Sequence, residues 1–193
     1  KFLDFLGGPG VFTAGHRHPK IVAALKAQAD RMPLSSHLLL DPVMGEFAER
    51  IAQITPGDIQ YTFFCNSGAE AVEGALKVAR ACTKRPKFVA AEGAFHGKTF
   101  GALSASGRDV YKTPFQPLLS GFSHVPFNAA EALDAAVDDE TAAAILEPIQ
   151  CEAGIRVPDD GYLTAAREIC DKSGALLILD EIQTGLGRTG KLW

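Results

Sequence analysis

Asp180 closes an apolar run, Ala175 to Leu179, and opens the loop Asp180-Glu-Ile-Gln183-Thr-Gly-Leu-Gly-Arg-Thr-Gly190. A carboxyl at the end of a buried strand is costly unless a cation meets it there. That makes Asp180 the first candidate for chemistry, although by itself it could equally cap a turn. Three further clusters carry chemically useful residues. Cys65-Asn-Ser-Gly-Ala69 joins a β-rich run to a helix, and the free N–H groups and dipole at such a junction suit a phosphate. Phe95-His-Gly97 offers an aromatic face to a ring, and Glu147-Pro-Ile-Gln-Cys-Glu152 puts two acids in one loop. Each has a plainer account when taken singly: a helix cap, core packing and solvated loop acids.

The elements that must position these residues alternate along the chain. Pro19 starts an amphipathic helix with Val22, Leu25, Ala29 and Met32 on one face. Asp41-Pro42 reads as an N-cap followed by an N1 proline, with Met44, Phe47, Ile51 and Ile54 continuing the stripe. Lys1–Phe5 reads as the start of a strand, and Tyr61–Cys65 as a short strand. Ser67 and Glu70 have capping-box spacing. The helix after them is expected to bury Val72, Ala75, Leu76 and Ala79 and to show a Glu73–Lys77 pair to water.

Strands are also expected at Lys87–Ala91, Phe122–Val125, Ala142–Glu147 and Ala175–Asp180. Helices fall near Ala129–Val137 and Tyr162–Lys172, the second stopped by Ser173-Gly174. Strands separated by helices predict an α/β fold with a mostly parallel sheet covered on both faces. In such a sheet, ligands sit outside the carboxyl ends of the strands. The phosphate-type junction, the aromatic cluster and the acid loop all fall at predicted strand ends, so they can share one crevice.

Composition excludes several classes. With 193 residues and 47% hydrophobic content, the chain can bury a sizeable core. Its 19 basic and 23 acidic residues give a net charge of −4, too mild to suggest nucleic acid or an anionic membrane as a partner. No apolar run approaches a bilayer span. Cys65, Cys82, Cys151 and Cys170 show no C-x-x-C pair or zinc spacing, which predicts reduced thiols, a cytoplasmic protein and no metal site. The first residue is Lys1 and the last, Trp193, follows a glycine-rich loop, so both ends are expected to be cut.

The sequence also carries two near-matches to nucleotide-binding motifs. Leu176-Leu-Ile-Leu-Asp-Glu181 looks like the magnesium-binding acid strand of P-loop NTPases, and Gly185-Leu-Gly-Arg-Thr-Gly-Lys191 has phosphate-loop spacing. Leu192, however, stands where a hydroxyl is needed, and the acid strand precedes the loop instead of following it. Gly93-Ala-Phe-His-Gly-Lys-Thr99 has the hydroxyl but is one residue short between its glycines.

Taken in order, the motifs resemble class III aminotransferases, pyridoxal 5'-phosphate enzymes with the aspartate aminotransferase fold, fold type I. The matching stretches are Gly15-His-Arg-His-Pro19, Asn66-Ser-Gly-Ala-Glu70, Phe95-His-Gly97, Glu147-Pro-Ile-Gln150, Gly161-Tyr-Leu163 and Asp180 to Gly190. Within the class, Leu3-Asp-Phe-Leu-Gly-Gly8, Tyr61-Thr-Phe-Phe-Cys-Asn66 and Gly121-Phe-Ser-His-Val-Pro-Phe127 look like the putrescine aminotransferase branch. The resemblance implies an incomplete large domain: residues 1–35 lead in, and residues 36–193 form part of the cofactor-binding domain.

The same resemblance assigns roles. Ser67, Gly68 and Ala69 would hold the cofactor phosphate, and Phe95 would stack on the pyridine ring with His96 beside it. Asp180 would bind the ring nitrogen and Gln183 the phenolic oxygen. Glu147 would line the reacting centre. Glu152 matches the family's switching glutamate, whose partner arginine is not in this chain. The Schiff-base lysine is expected beyond Trp193, and Lys191 sits at the wrong motif position to replace it.

The implied reaction moves an amino group from a diamine or other ω-amine to a 2-oxo acid, in a homodimer or higher homo-oligomer. Ornithine, acetylornithine and 4-aminobutyrate aminotransferases remain alternatives. So do an aminomutase, a decarboxylating relative and a non-catalytic fragment, and this stretch alone is expected to be inactive. Two departures stand out: Cys151 replaces the family's glycine before Glu152, and Ser35-Ser36-His37 differs from putrescine-type sequences.

Overall fold

The computed structural model describes residues 1–8, 10–32, 34 and 40–193, so Ser35-Ser36-His37 lies outside the described residues. Two compact units form, residues 1–62 with 185–193 and residues 63–184. The first holds helices α1 (Pro19–Arg31) and α2 (Pro42–Ile54). Asp41 caps α2, its carboxylate accepting from the Val43 and Met44 N–H groups, and Pro42 supplies the first helical residue. Helices α1 and α2 form where expected, but Met32, expected on the α1 stripe, is its extended C-cap, neither helix has a buried residue, and Leu25 and Phe47 are exposed. Lys1–Phe5 is not a strand: no ladder forms there, and Phe2, Leu3 and Phe5 stand in solvent.

The second unit contains the sheet. In chain order it runs α3 (Gly68–Thr83), β1 (Lys87–Ala91), α4 (Phe100–Ala105), α5 (Asp109–Lys112), β2 (Phe122–Val125), α6 (Ala130–Ala136), β3 (Thr141–Leu146), α7 (Tyr162–Ser173) and β4 (Leu176–Leu179). All strand pairs are parallel, in the order β2-β1-β3-β4. Tyr61–Cys65 joins no ladder among the described residues, so the strand expected there does not form with them.

Alternation along the strands builds two cores. Phe88, Ala90, Ala143 and Ile145 face Val72, Leu76 and Ala79 of α3 and Ala102 and Ala105 of α4. Val89, Ala91, Ala144 and Leu146 face Leu133 of α6 and Ala166 and Cys170 of α7. Ala75, expected in the core, is only half-buried. The alanine-rich β3 is buried along its whole length, which lets helices approach from both sides. β4 departs from the expectation of a buried strand. It is the sheet edge among the described residues, with Leu176 and Leu179 exposed.

The two short helices α4 and α5 had no periodic signal long enough to read. α4 is held by a residue assigned to solvent. Glu73 Oε1 accepts from Thr99 Oγ1 at 2.6 Å, Gly101 N at 2.9 Å and Ala102 N at 3.3 Å, so Glu73 caps α4, and no Glu73–Lys77 ion pair forms among the described residues. No described helix is long and apolar enough to cross a membrane.

The segment from β1 to α4 closes on itself through Gly107, whose N–H bonds to Ala94 O (2.8 Å) and whose carbonyl accepts from Gly93 N (3.1 Å). A Cβ at Gly107 would collide with the Ala91 carbonyl oxygen, Gly93 N and Glu92 Cα, all backbone atoms that cannot swing away. Gly107→Ala should therefore destabilise the complete protein by roughly 2 kcal/mol or more. Gly45→Ala in α2, which meets nothing within 4 Å, should be neutral or stabilising by about 0.5–1 kcal/mol. Thermal unfolding of both variants checks the contrast.

Candidate active site at the carboxyl ends of the strands

The sheet order reverses at β1. β2 lies on one side of it, and β3 and β4 on the other. In open α/β sheets the crevice at this switch point is where ligands bind. The loops leaving β1 and β3 carry Phe95, His96 and Glu147, and β4 ends at Asp180.

Ser67 caps α3, its Oγ accepting from Glu70 N at 3.2 Å. Glu70 reaches back one residue further than a standard capping box, accepting from Asn66 N at 2.6 Å and Asn66 Nδ2 at 3.1 Å. The Gly68 and Ala69 N–H groups have no partner among the described residues. Small residues are required here. A Cβ on Gly68 would press on Ile182 Cδ1 at 2.9 Å, and one on Gly97 would meet Ala69 Cβ at 2.8 Å. The helix N-terminus therefore packs directly between the loop after β1 and the loop after β4.

His96 and Asp180, 84 residues apart, form a buried pair: imidazole Nδ1–H donates to Asp180 Oδ2 at 2.7 Å. The other Asp180 oxygen accepts from Ile182 N at 3.1 Å, and Asp180 N extends the ladder by bonding to Leu146 O at 2.8 Å. The His96 main chain is fixed by Ser106 Oγ, which accepts from His96 N at 3.0 Å and donates to Ala102 O at 3.0 Å. His96 Nε2 is buried and has no partner among the described residues.

Glu147 follows β3 directly and is 5% exposed. One oxygen accepts from Phe95 N at 3.3 Å. Burial, reinforced by repulsion from Asp180, pushes its carboxyl up to about 8 despite that hydrogen bond. No lysine or arginine pairs with Glu147 or Asp180 among the described residues. Phe95 is half-buried, its ring edge-on to Tyr111 at 6.1 Å. Gln183 Nε2 donates to Glu152 Oε1 at 3.4 Å, a long bond between two partly solvated groups.

The structure thus gathers Ser67, Gly68, Ala69, Phe95, His96, Glu147 and Asp180, with Gln183 and Glu152 as a linked outer pair. Cys151 fits without strain, because its φ is not positive and glycine is not required there. Its thiol points to Ile149 O at 3.7 Å.

Sequence reading missed three supports. Gln150 ends the Glu147–Gln150 motif and is fully buried. Its Nε2 donates to Glu92 O at 3.0 Å, and its Oε1 accepts from Arg156 Nη1 at 3.1 Å. Ser106 holds the His96 main chain, and Arg108 Nη1 donates to the Glu152 carbonyl oxygen at 2.9 Å. The Glu147–Gln150 motif is the signal Gln150 gives, and Ser106 and Arg108 give none.

Comparison with known proteins identifies the family. The family model described as Aminotransferase class-III matches residues 1–193. An ornithine aminotransferase from Toxoplasma gondii, solved with partial occupancy of PLP, is 37% identical, with a TM-score of 0.91 over 99% of this chain and 47% of its own. A taurine:2-oxoglutarate aminotransferase from Bifidobacterium kashiwanohense, solved with PLP and glutamate, is 32% identical, with a TM-score of 0.90 over 100% and 49%. An (S)-enantioselective ω-transaminase from Thermomicrobium roseum is 33% identical, with a TM-score of 0.89 over 99% and 49%. The chain spans about half the length of these solved relatives, and it belongs to the class III aminotransferases.

Proposed function

We propose that the protein to which these residues belong is a PLP-dependent aminotransferase that moves an amino group from a diamine, such as putrescine or cadaverine, to a 2-oxo acid. The observation that carries this reading is the convergence, on one crevice, of a helix N-terminus with open N–H groups, an aromatic ring and two buried carboxyls that no described lysine or arginine pairs with, one of them held by His96. That donor set fits a planar cationic ring bearing a phosphate. Ser67, Gly68 and Ala69 would hold the phosphate, Phe95 would face the ring, Asp180 would bind the ring nitrogen and Gln183 the phenolic oxygen. When bound, the cofactor supplies an electron sink for the amine's α-carbon.

The chain's own residues hold the charges that such chemistry needs. His96 orients the Asp180 carboxyl, and Ser106 holds His96 in turn. An ion pair at about 4 Å gives roughly 4 kcal/mol at an effective dielectric near 20. Glu147, protonated at neutral pH while it faces Asp180 alone, can hand its proton on once a cation offsets that repulsion. Residues 1–35 would lead into the cofactor-binding domain of 36–193, and a cytoplasmic homodimer would complete the site with a lysine and an arginine from outside this stretch. The putrescine assignment is supported by the Leu3–Gly8, Tyr61–Asn66 and Gly121–Phe127 likenesses. The 37% identity to an ornithine aminotransferase supports ornithine as the second reading.

Three measurements test this. In the complete enzyme, Asp180→Asn should lower turnover at least about thirtyfold, the equivalent of half the ion-pair energy, while cofactor affinity falls much less; near-normal turnover would remove Asp180 from its role. A panel of amines assayed with 2-oxoglutarate should show diamine turnover, and turnover of ornithine alone would favour the second reading. Glu147 keeps its proton in the folded state where the unfolded chain has lost it, so its contribution to stability falls as pH rises from 4.5 towards 8. Cofactor-free Glu147→Gln should therefore match the parent in thermal unfolding near pH 4.5 and exceed it at pH 8, by an amount on the order of a few kcal/mol. Parallel pH profiles would contradict the assignment.

A further inference from the structure

Lys112 ends α5 and His124 lies within β2, and their side chains meet beside Ala105, the last residue of α4. The pair takes no part in the reaction proposed above. His124 Nε2 is 3.2 Å from the Ala105 carbonyl oxygen and 3.5 Å from Lys112 Nζ. A carbonyl oxygen only accepts, so the shorter contact puts the ring proton on Nε2. Lys112 then faces a ring N–H where an ammonium group would need an acceptor. A free amine fits that position, because its lone pair can share the same proton.

The charges around the pair favour the same state. No described carboxylate forms an ion pair with Lys112. Asp109, at the other end of α5, acts on it only through its longer-range charge, and α4 brings no titratable side chain. Lys112 and His124 are both half-buried. Burial outweighs Asp109 and holds the Lys112 amine below the ordinary lysine range. Burial and the neighbouring lysine also lower His124, against the pull of Asp109 and of the Ala105 and Ser106 backbone, so the ring is neutral at pH 7. The result is an amine without a counter-ion, set against a fixed N–H donor and still open to solvent on one side.

We propose that Lys112 is a covalent modification site that takes acyl groups from small acyl phosphates. Nζ attacks the acyl carbon and forms the C–N bond. The bond from that carbon to the phosphate oxygen breaks, inorganic phosphate leaves with the electron pair, and the surplus amine proton passes to solvent. The half-buried setting suits a small donor. The amide nitrogen that results has no lone pair to share with His124, so acylation also removes the side-chain contact between α5 and β2.

The test uses the complete, folded enzyme loaded with PLP, incubated with acetyl phosphate over a series of pH values. Mass spectrometry of the digested protein then gives the acetylation rate of each lysine. At neutral pH, Lys112 should react at least about threefold faster than the exposed Lys20 and Lys26, because a lower pKa enlarges the free-amine fraction more than it weakens the nucleophile. Its rate should also level off at a lower pH than theirs. Nitrogen-15 NMR of the histidine rings, assigned through His124→Gln, should show His124 protonated on Nε2 alone at neutral pH. Acetylation of Lys112 no faster than that of Lys20 and Lys26 would overturn the proposal, and so would a His124 proton on Nδ1. Neither readout depends on which amine the enzyme turns over.

Discussion

A buried hydrogen bond between His96 and Asp180 is the contact on which the rest of the site depends. It joins the loop after β1 to the end of β4, across β3, and both side chains are almost fully enclosed. A carboxyl in that position is tolerable only when its oxygens are occupied. Here His96 takes one and the Ile182 N–H takes the other. Removing either partner would leave a buried acid uncompensated, a far larger cost than the bond's own net contribution of about 1.5–3 kcal/mol.

The surrounding architecture serves that contact. Ser106 fixes His96, Gly107 locks Ser106 against β1, and Glu73 caps the helix that ends just before Ser106. Gly97 and Gly68 let α3 approach until its N-terminus lies between the two loops. The result is a crevice wall made of backbone N–H groups, one ring and two carboxyls, stiff because most of its supports are backbone or fully buried. Glu147 completes the electrostatics. Burial and the neighbouring Asp180 hold its proton on, so a cation entering the crevice would help to release it.

Much of this was legible in the sequence because the site uses local signals. Pro42 after Asp41, Ser67 with Glu70, and Gly174 after Ser173 each mark a helix end through short-range chemistry, and the structure places those ends where the signals stand. Asp180 and Glu147 were legible because acids after apolar runs are rare. The β-rich Tyr61–Cys65 misled because β propensity only describes a fit to a ladder, and no strand among the described residues supplies one. Glu73 misled because i,i+4 spacing with Lys77 is a weak preference, easily overridden by three donors at α4. The His96–Asp180 pairing, the Gln150 anchor and the Arg108 hydrogen bond were invisible, since each joins residues more than forty positions apart or depends on a turn no motif marks.

The account stands or falls on whether burial, with Asp180 beside it, keeps the Glu147 carboxyl protonated until a cation enters the crevice. A carbon-13 NMR titration of protein with labelled glutamate, assigned through Glu147→Gln, reads this directly. In the cofactor-free protein the Glu147 carboxyl should titrate near 8, and the midpoint should fall once PLP is bound, as a cation relieves the repulsion. A midpoint near the ordinary 4.5 in the cofactor-free protein, unmoved by PLP, would contradict it.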